Sequence, residues 1–171
     1  MDKQTEILTE IADLIKTIQG QATSHGYTYY TETGQVGVYD MALSFSLNNS
    51  SELVNHVVDI SEDGEQNEEW GIGQNIYTNT LPVVIRSTIS ASPTAESSRA
   101  ELRKKCGEVV SDLKALFGTF HTLNNTANWA KYELSTIEWN ENGDRLSGAT
   151  SVFELSVNYS QLLLNPNITT C

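Results

Sequence analysis

Carboxylates dominate the side chains of this sequence that could bind a ligand. In Asp59-Ile60-Ser61-Glu62-Asp63-Gly64, oxygen-bearing side chains stand at positions one, three and five and glycine at position six, which matches the first half of a calcium loop. Position twelve must supply a bidentate carboxylate but is Trp70, and the residues before Asp59 have the pattern of a strand rather than a helix. We therefore interpret the segment as a solvated turn and predict no metal site.

Histidine, cysteine and serine offer no better site. His25, His56 and His121 lie in unrelated segments, and none has a second ligand at a metal-binding spacing. Cys106 falls in a helical pattern and Cys171 is the last residue, which makes a poor disulfide framework and a worse metal site. A serine nucleophile elbow and a phosphate-binding loop are both absent from the sequence. We predict no catalytic residues, no cofactor and no enzymatic activity.

The placement of charge is the most informative feature. The net charge is -12, and the segment from Thr17 to Ile85 contains nine carboxylates but no lysine or arginine. A surface this acidic repels phosphate groups, so specific nucleic-acid binding is not expected. Positive charge is concentrated in a later helical segment, and such separation of signs suits head-to-tail association of subunits.

Two groups of residues are therefore candidates for a protein interface. The acidic segment also contains a tryptophan, a residue that often anchors a partner. The alternatives left open are that the charged residues are merely solvated and that the tryptophan folds back over the sheet. The acidic segment consists of Asp59, Glu62, Asp63, Glu65, Glu68, Glu69 and Trp70, and the basic segment of Arg99, Arg103, Lys104 and Lys105.

Hydrophobic periodicity predicts an α+β fold. Apolar residues at helical spacing predict two amphipathic helices, at about 2–19 and 93–120, the second opening at Ser92-Pro93. We expect a single domain at 1–160, a mostly antiparallel sheet packed against both helices, a protruding acidic loop or hairpin at 61–80 and a C-terminal arm at 161–171. Strand patterns occupy 27–31, 36–47, 53–60, 82–91, 134–139 and 149–159.

Neither export nor membrane insertion is expected. The first twenty residues contain Asp2, Glu6, Glu10 and Asp13, which does not fit a cationic, apolar secretion signal. Apolar runs are short, as at 81–85, whereas a helix that spans a bilayer needs roughly 20 apolar residues. We therefore expect synthesis in the cytoplasm.

The order of these features resembles the tail terminator and tail completion proteins of long-tailed bacteriophages, the lambda-type minor tail protein U family. The resemblance covers about residues 5–160. An amphipathic helix is followed by strands, by an acidic loop that ends at Trp70 and by the strand segment Leu81-Pro-Val-Val-Ile85. A helix opened by serine and proline then carries Arg99 and Arg103, and a last strand ends at Tyr159.

The resemblance implies a structural virion protein of the phage tail or neck. Subunits of that family would form a hexameric ring that caps the tail tube, ends its polymerisation and joins the tail to the head. The implied partners are other copies of the chain, the tail tube protein and the head-tail connector, while DNA passes through the lumen without specific binding. The alternatives are another neck or tail component, such as a connector or tube protein, and a small acidic monomer that binds another protein.

Overall fold

The chain folds into two helices and one mixed sheet of six strands, which confirms the predicted α+β class. The computed structural model describes residues 2–18, 33–39, 54–71, 76–90, 99–142 and 145–162. The helices are α1 (Lys3–Lys16) and α2 (Arg99–Thr119). The strands are β1 (Thr33–Val38), β2 (Val54–Ile60), β3 (Gln66–Gly71), β4 (Ile76–Ser90), β5 (Trp129–Asn142) and β6 (Arg145–Leu162).

The sheet has the strand order β1-β2-β4-β6-β5, and β3 also pairs with β4. The predicted sheet was mostly antiparallel, and four of the five strand pairs are antiparallel, whereas β1 and β2 are parallel. β2 pairs with residues 83–89 of β4 and β3 with residues 76–80, so both lie on the same side of that strand. β3 therefore continues the position of β2 after the turn at 61–65.

One face of the sheet forms the core with both helices. Alternate residues of a strand point to the same face, and the residues of β4 and β6 in the core cluster follow that alternation. Leu81, Ile85 and Ile89 of β4 are buried on this face, as are Phe153 and Val157 of β6. Both helices contribute to the same cluster. Burial of this face, rather than helix propensity, is what holds the helices in place.

Each helix presents the apolar stripe that its sequence predicted. The buried side chains of α1 include Ile7, Ile11 and Ile15, and those of α2 include Leu102 and Leu113. α1 packs mainly over β1 and β2, whereas α2 lies over β6 and β5. The predicted opening of the second helix at 92–93 lies outside the described residues, which show this helix from 99 to 119. No helix in the described ranges is long and apolar enough to span a membrane.

Of the two alternatives predicted for 61–80, a loop or a hairpin, the structure shows the strand pairing of a hairpin. Residues 66–71 pair with 76–80, and the same stretch of β4 pairs with 158–162 of β6. Polar composition suggested a loop, but backbone pairing on both sides extends β4 from 82 back to 76. β5 is likewise longer than the predicted 134–139. The last strand also continues beyond the predicted 149–159, so the first two residues of the arm predicted at 161–171 belong to β6, where they pair with Ile76 and Tyr77 of β4. The rest of that arm, the predicted strand at 27–31 and most of the one at 36–47 lie outside the described residues.

Substitution of Phe153 tests how much this core contributes to the free energy of unfolding. Its side chain is fully buried, with its ring centroid 4.9 Å from that of Tyr132 and 6.1 Å from that of Phe117. We expect Phe153→Ala to lower the free energy of unfolding by about 3–5 kcal/mol because it leaves a cavity beneath α2. Urea titration measures this, with Phe153→Leu as the milder control. An alanine variant as stable as the parent chain would contradict the packing described.

Candidate interaction surfaces

The start of the acidic segment is a tight turn at the end of β2. The backbone N–H of Ser61 donates to the carbonyl oxygen of Pro82 (2.8 Å), and that of Gly64 donates to the carbonyl oxygen of Ser61 (3.0 Å). Gly64 has a φ of 70°, a conformation that glycine adopts without strain. The carboxylate of Asp59 accepts from the backbone N–H of Ile60 at 2.7 Å. The resemblance to a calcium loop is therefore accounted for by a turn that requires glycine.

Glu65 joins the acidic segment to the core. Its carboxylate accepts a hydrogen bond from the hydroxyl of Tyr159, whose side chain is buried in β6. Beside it, the side-chain amide of Asn67 donates to the side-chain oxygen of Asn79 at 3.0 Å. These contacts fix the first residues of β3 against β4 and β6. Glu65 thus has a partner within the chain, although the residue is exposed to solvent.

The remaining acidic residues fall into two groups. Glu62 and Asp63 are exposed on the turn. Glu68, Glu69 and Trp70 lie in β3, where a register shift between Asn67 and Glu69 interrupts the pairing with β4. The side chains of these last three residues are outside the described part of the chain, so the two alternatives for the tryptophan stay open.

The two arginines of the basic segment contact the end of β5. The guanidinium carbon of Arg99 lies 5.1 Å from the ring centroid of Trp139, and that of Arg103 lies 5.6 Å from the same ring. Arg99 also forms an ion pair with Glu141. Cation–π contacts at exposed sites contribute about 0.5–1 kcal/mol each. The arginines therefore hold the beginning of α2 against β5, a role that the sequence pattern did not predict.

Lys104 and Lys105 differ from the arginines that precede them. Both are exposed on α2, and neither has an ion pair with another described residue. Lys114, further along the helix, lies 4.4 Å from the ring centroid of Tyr132. The two adjacent lysines are thus the part of the predicted basic segment that remains open to a partner.

The predicted acidic and basic segments do not meet within one chain. Trp139, which both arginines contact, pairs with Ala149 of β6, and Ala149 pairs with Ile89 of β4. Tyr159, which bonds to the acidic turn, pairs with Asn79 of β4. Ile89 and Asn79 are ten residues apart on β4, which is about 33 Å, whereas Asp59 at the start of the acidic segment pairs with Val84, which is five residues from Ile89. No ion pair among the described residues joins the two segments. The charge separation of the sequence is therefore a separation in space.

A histidine and a serine pair inside the core, which sequence inspection missed. His56 of β2 lies opposite Ser87 of β4, and the distance from its Nδ1 to the serine Oγ is 2.7 Å. Such a pair resembles a nucleophile with its base, but His56 is 3% and Ser87 0% exposed, so no substrate reaches them without opening the core. Burial lowers the pKa of His56 to about 4, which keeps the ring neutral. The pair is a hydrogen bond between buried polar groups.

The other candidate ligands lie apart. Among the described residues, no group of three or more His, Cys, Asp or Glu side chains could hold a metal ion. Cys106 is buried in the core, and burial raises the pKa of its thiol, which disfavours the reactive thiolate. His121 is exposed in the turn after α2. His25 and Cys171 lie outside the described residues.

Comparison with known proteins does not assign the chain to a family. No protein-family model matches the sequence, and a search of curated proteins found no match.

The buried histidine gives the fold a defined acid sensitivity. The unfolded chain takes up a proton near the ordinary pKa of 6.5, whereas the folded chain resists protonation until about 4. The contribution of neutral His56 to the free energy of unfolding is therefore complete above the pKa of the unfolded chain. It is lost as the pH falls, and the loss reaches about 3 kcal/mol at pH 4. His56→Asn replaces the ring nitrogen by an amide that cannot titrate.

Urea titrations at pH 7 and pH 4 measure the free energy of unfolding of both proteins. The parent chain should lose about 3 kcal/mol more than His56→Asn over this interval. The variant retains all the carboxylates, so their shared contribution cancels in the comparison. Equal pH dependence of the two proteins would show that His56 is not held neutral by the core.

Proposed function

We propose that this chain is a structural virion protein of a phage tail. Copies of it form a ring that caps the tail tube, ends tube polymerisation and joins the tail to the head or neck. Its place of action is the virion, and its partners are other copies of the chain, the tube protein and the head-tail connector.

The observation that carries the proposal is the separation of opposite charges on one rigid sheet. The acidic turn lies on the β2 side of the β4–β6 pair, and the beginning of α2 lies on the β5 side. A contact between two different patches is heterologous, and it produces a closed ring when the rotation between subunits permits closure. Complementary charge also guides subunits to the correct orientation.

The architecture supports the same function. The resemblance implies an antiparallel sheet with two packed helices, and the chain has a predominantly antiparallel sheet with both helices on one face. Tyr159, which ends the last strand in the family pattern, lies three residues before the end of β6 in this chain and bonds to Glu65 of the acidic turn. Net negative charge fits a lumen through which DNA moves, because carboxylates repel phosphate groups.

Tube capping tests the proposal. We expect that adding this chain to polymerising tail tube protein of the same virus shortens the tubes and leaves one end capped by a ring. The reason is that a bound cap blocks the end to which the next tube subunit would add. Electron microscopy of negatively stained tubes measures both length and capped ends.

An unrelated acidic protein of similar size serves as the control for a general effect of charge. Tubes of unchanged length without caps, at an excess of the chain, would contradict a terminator function. Binding along the sides of tubes rather than at their ends would instead indicate another tail component.

A further inference from the structure

The contacts within the chain divide both charged segments into engaged and free residues. Arg99 and Arg103 contact Trp139, and the carboxylate of Glu65 bonds to Tyr159. Asp59 accepts from the backbone of the next residue. Arg99, Arg103 and Glu65 thus hold α2 and the acidic turn to the sheet, and Asp59 is bonded within its own strand.

Among the members of the two segments whose side chains the structure describes, four exposed ones remain. They have no hydrogen bond or ion pair with any other described residue. Two are anionic and adjacent on the turn after β2, and two are cationic and adjacent on α2. They are Glu62, Asp63, Lys104 and Lys105.

We infer that Glu62 and Asp63 of one copy contact Lys104 and Lys105 of a second copy. The inference rests on the proposed function in one respect, that copies of this chain associate. Arg99 and Arg103 act within the chain instead, so the predicted basic segment has two roles rather than one.

The position of the turn favours a second copy over a contact within the chain. The Ser61 N–H is bonded to Pro82, which places the turn beside β4 on the side of β2. α2 begins over the end of β5, beyond β6. With β4 and β6 between them, the turn and the beginning of α2 lie on different sides of the central strand pair, and a second copy of the chain presents to each the patch of opposite charge.

The surface of α2 leaves room for an approaching turn. Gly107 is exposed one helical turn after Lys104, and a Cβ added there would meet no atom within 4 Å. Glycine is unfavourable inside a helix, and packing within the described chain does not require it at this position. The absent side chain leaves space on the helix surface beside Lys104, which lies three residues earlier on the same side of α2, so a partner's carboxylate can come close to its ammonium group.

A charge swap tests the contact. One variant carries Glu62→Lys and Asp63→Lys, and the other carries Lys104→Glu and Lys105→Glu. Each variant alone brings like charges together at the contact, so each should associate at least roughly tenfold more weakly than the parent chain at low salt. In an equal mixture, every contact between the two variants joins opposite charges, so the mixture should regain the mass of the parent assembly. Light scattering, with and without tube protein, measures this mass.

The matched control carries Lys16→Glu and Lys131→Glu, which changes the net charge by the same amount as Lys104→Glu with Lys105→Glu. The side chains of these two control lysines are 55% and 68% exposed. The control should associate like the parent chain. If the parent chain assembles while both swap variants assemble equally well alone, the contact is refuted and the proposed function stands. If the parent chain fails to assemble even with tube protein, both are refuted. Weak association of each variant without recovery in the mixture also overturns the inference.

Discussion

The antiparallel pairing of β4 with β6 determines the position of the other elements. It runs without a register shift over all 15 residues of β4, from Ile76 opposite Leu162 to Ser90 opposite Gly148. This register places most of the buried apolar residues of both strands on the same face, and a shift of one residue would turn them to the other face. The helices pack on that face, β2 and β3 align along one side of the pair, and β5 aligns along the other.

The same long pair keeps the charged segments apart. The acidic turn is fixed beside β4 by Ser61 and by the bond from Tyr159 to Glu65. The basic segment is fixed at the other end of the sheet by Trp139 of β5. Because both attachments are to strands of one sheet, the distance between opposite charges is built into the fold. A surface of this kind favours contacts between molecules over contacts within one.

Much of the fold followed from periodicity, whereas cross-strand contacts did not. The spacing of apolar residues predicted both helices, because residues such as Ile7, Ile11 and Ile15 lie close together in the sequence and show the helical period directly. The extension of β4 through Thr78 was missed because its polar residues are held by backbone pairing on both sides, which composition does not record. Contacts between distant positions, such as His56 with Ser87, depend on register and therefore appear only in the structure.

The charge of the candidate surface was predictable from the sequence, but the sequence did not show which of its charged residues make contacts within the chain. Composition identified the acidic and basic segments, yet it gave no reason to separate Arg103 from Lys104. That separation depends on which side of α2 faces Trp139, and so on the packing of the helix against β5.

The measurement that tests the central claim most directly is the mass of the purified protein in solution, by light scattering, at low and moderate salt and with added tube protein. The account predicts a mass several times that of one chain, either for the protein alone or after tube protein is added, with association weakened by salt. A mass of one chain under every one of these conditions would contradict it.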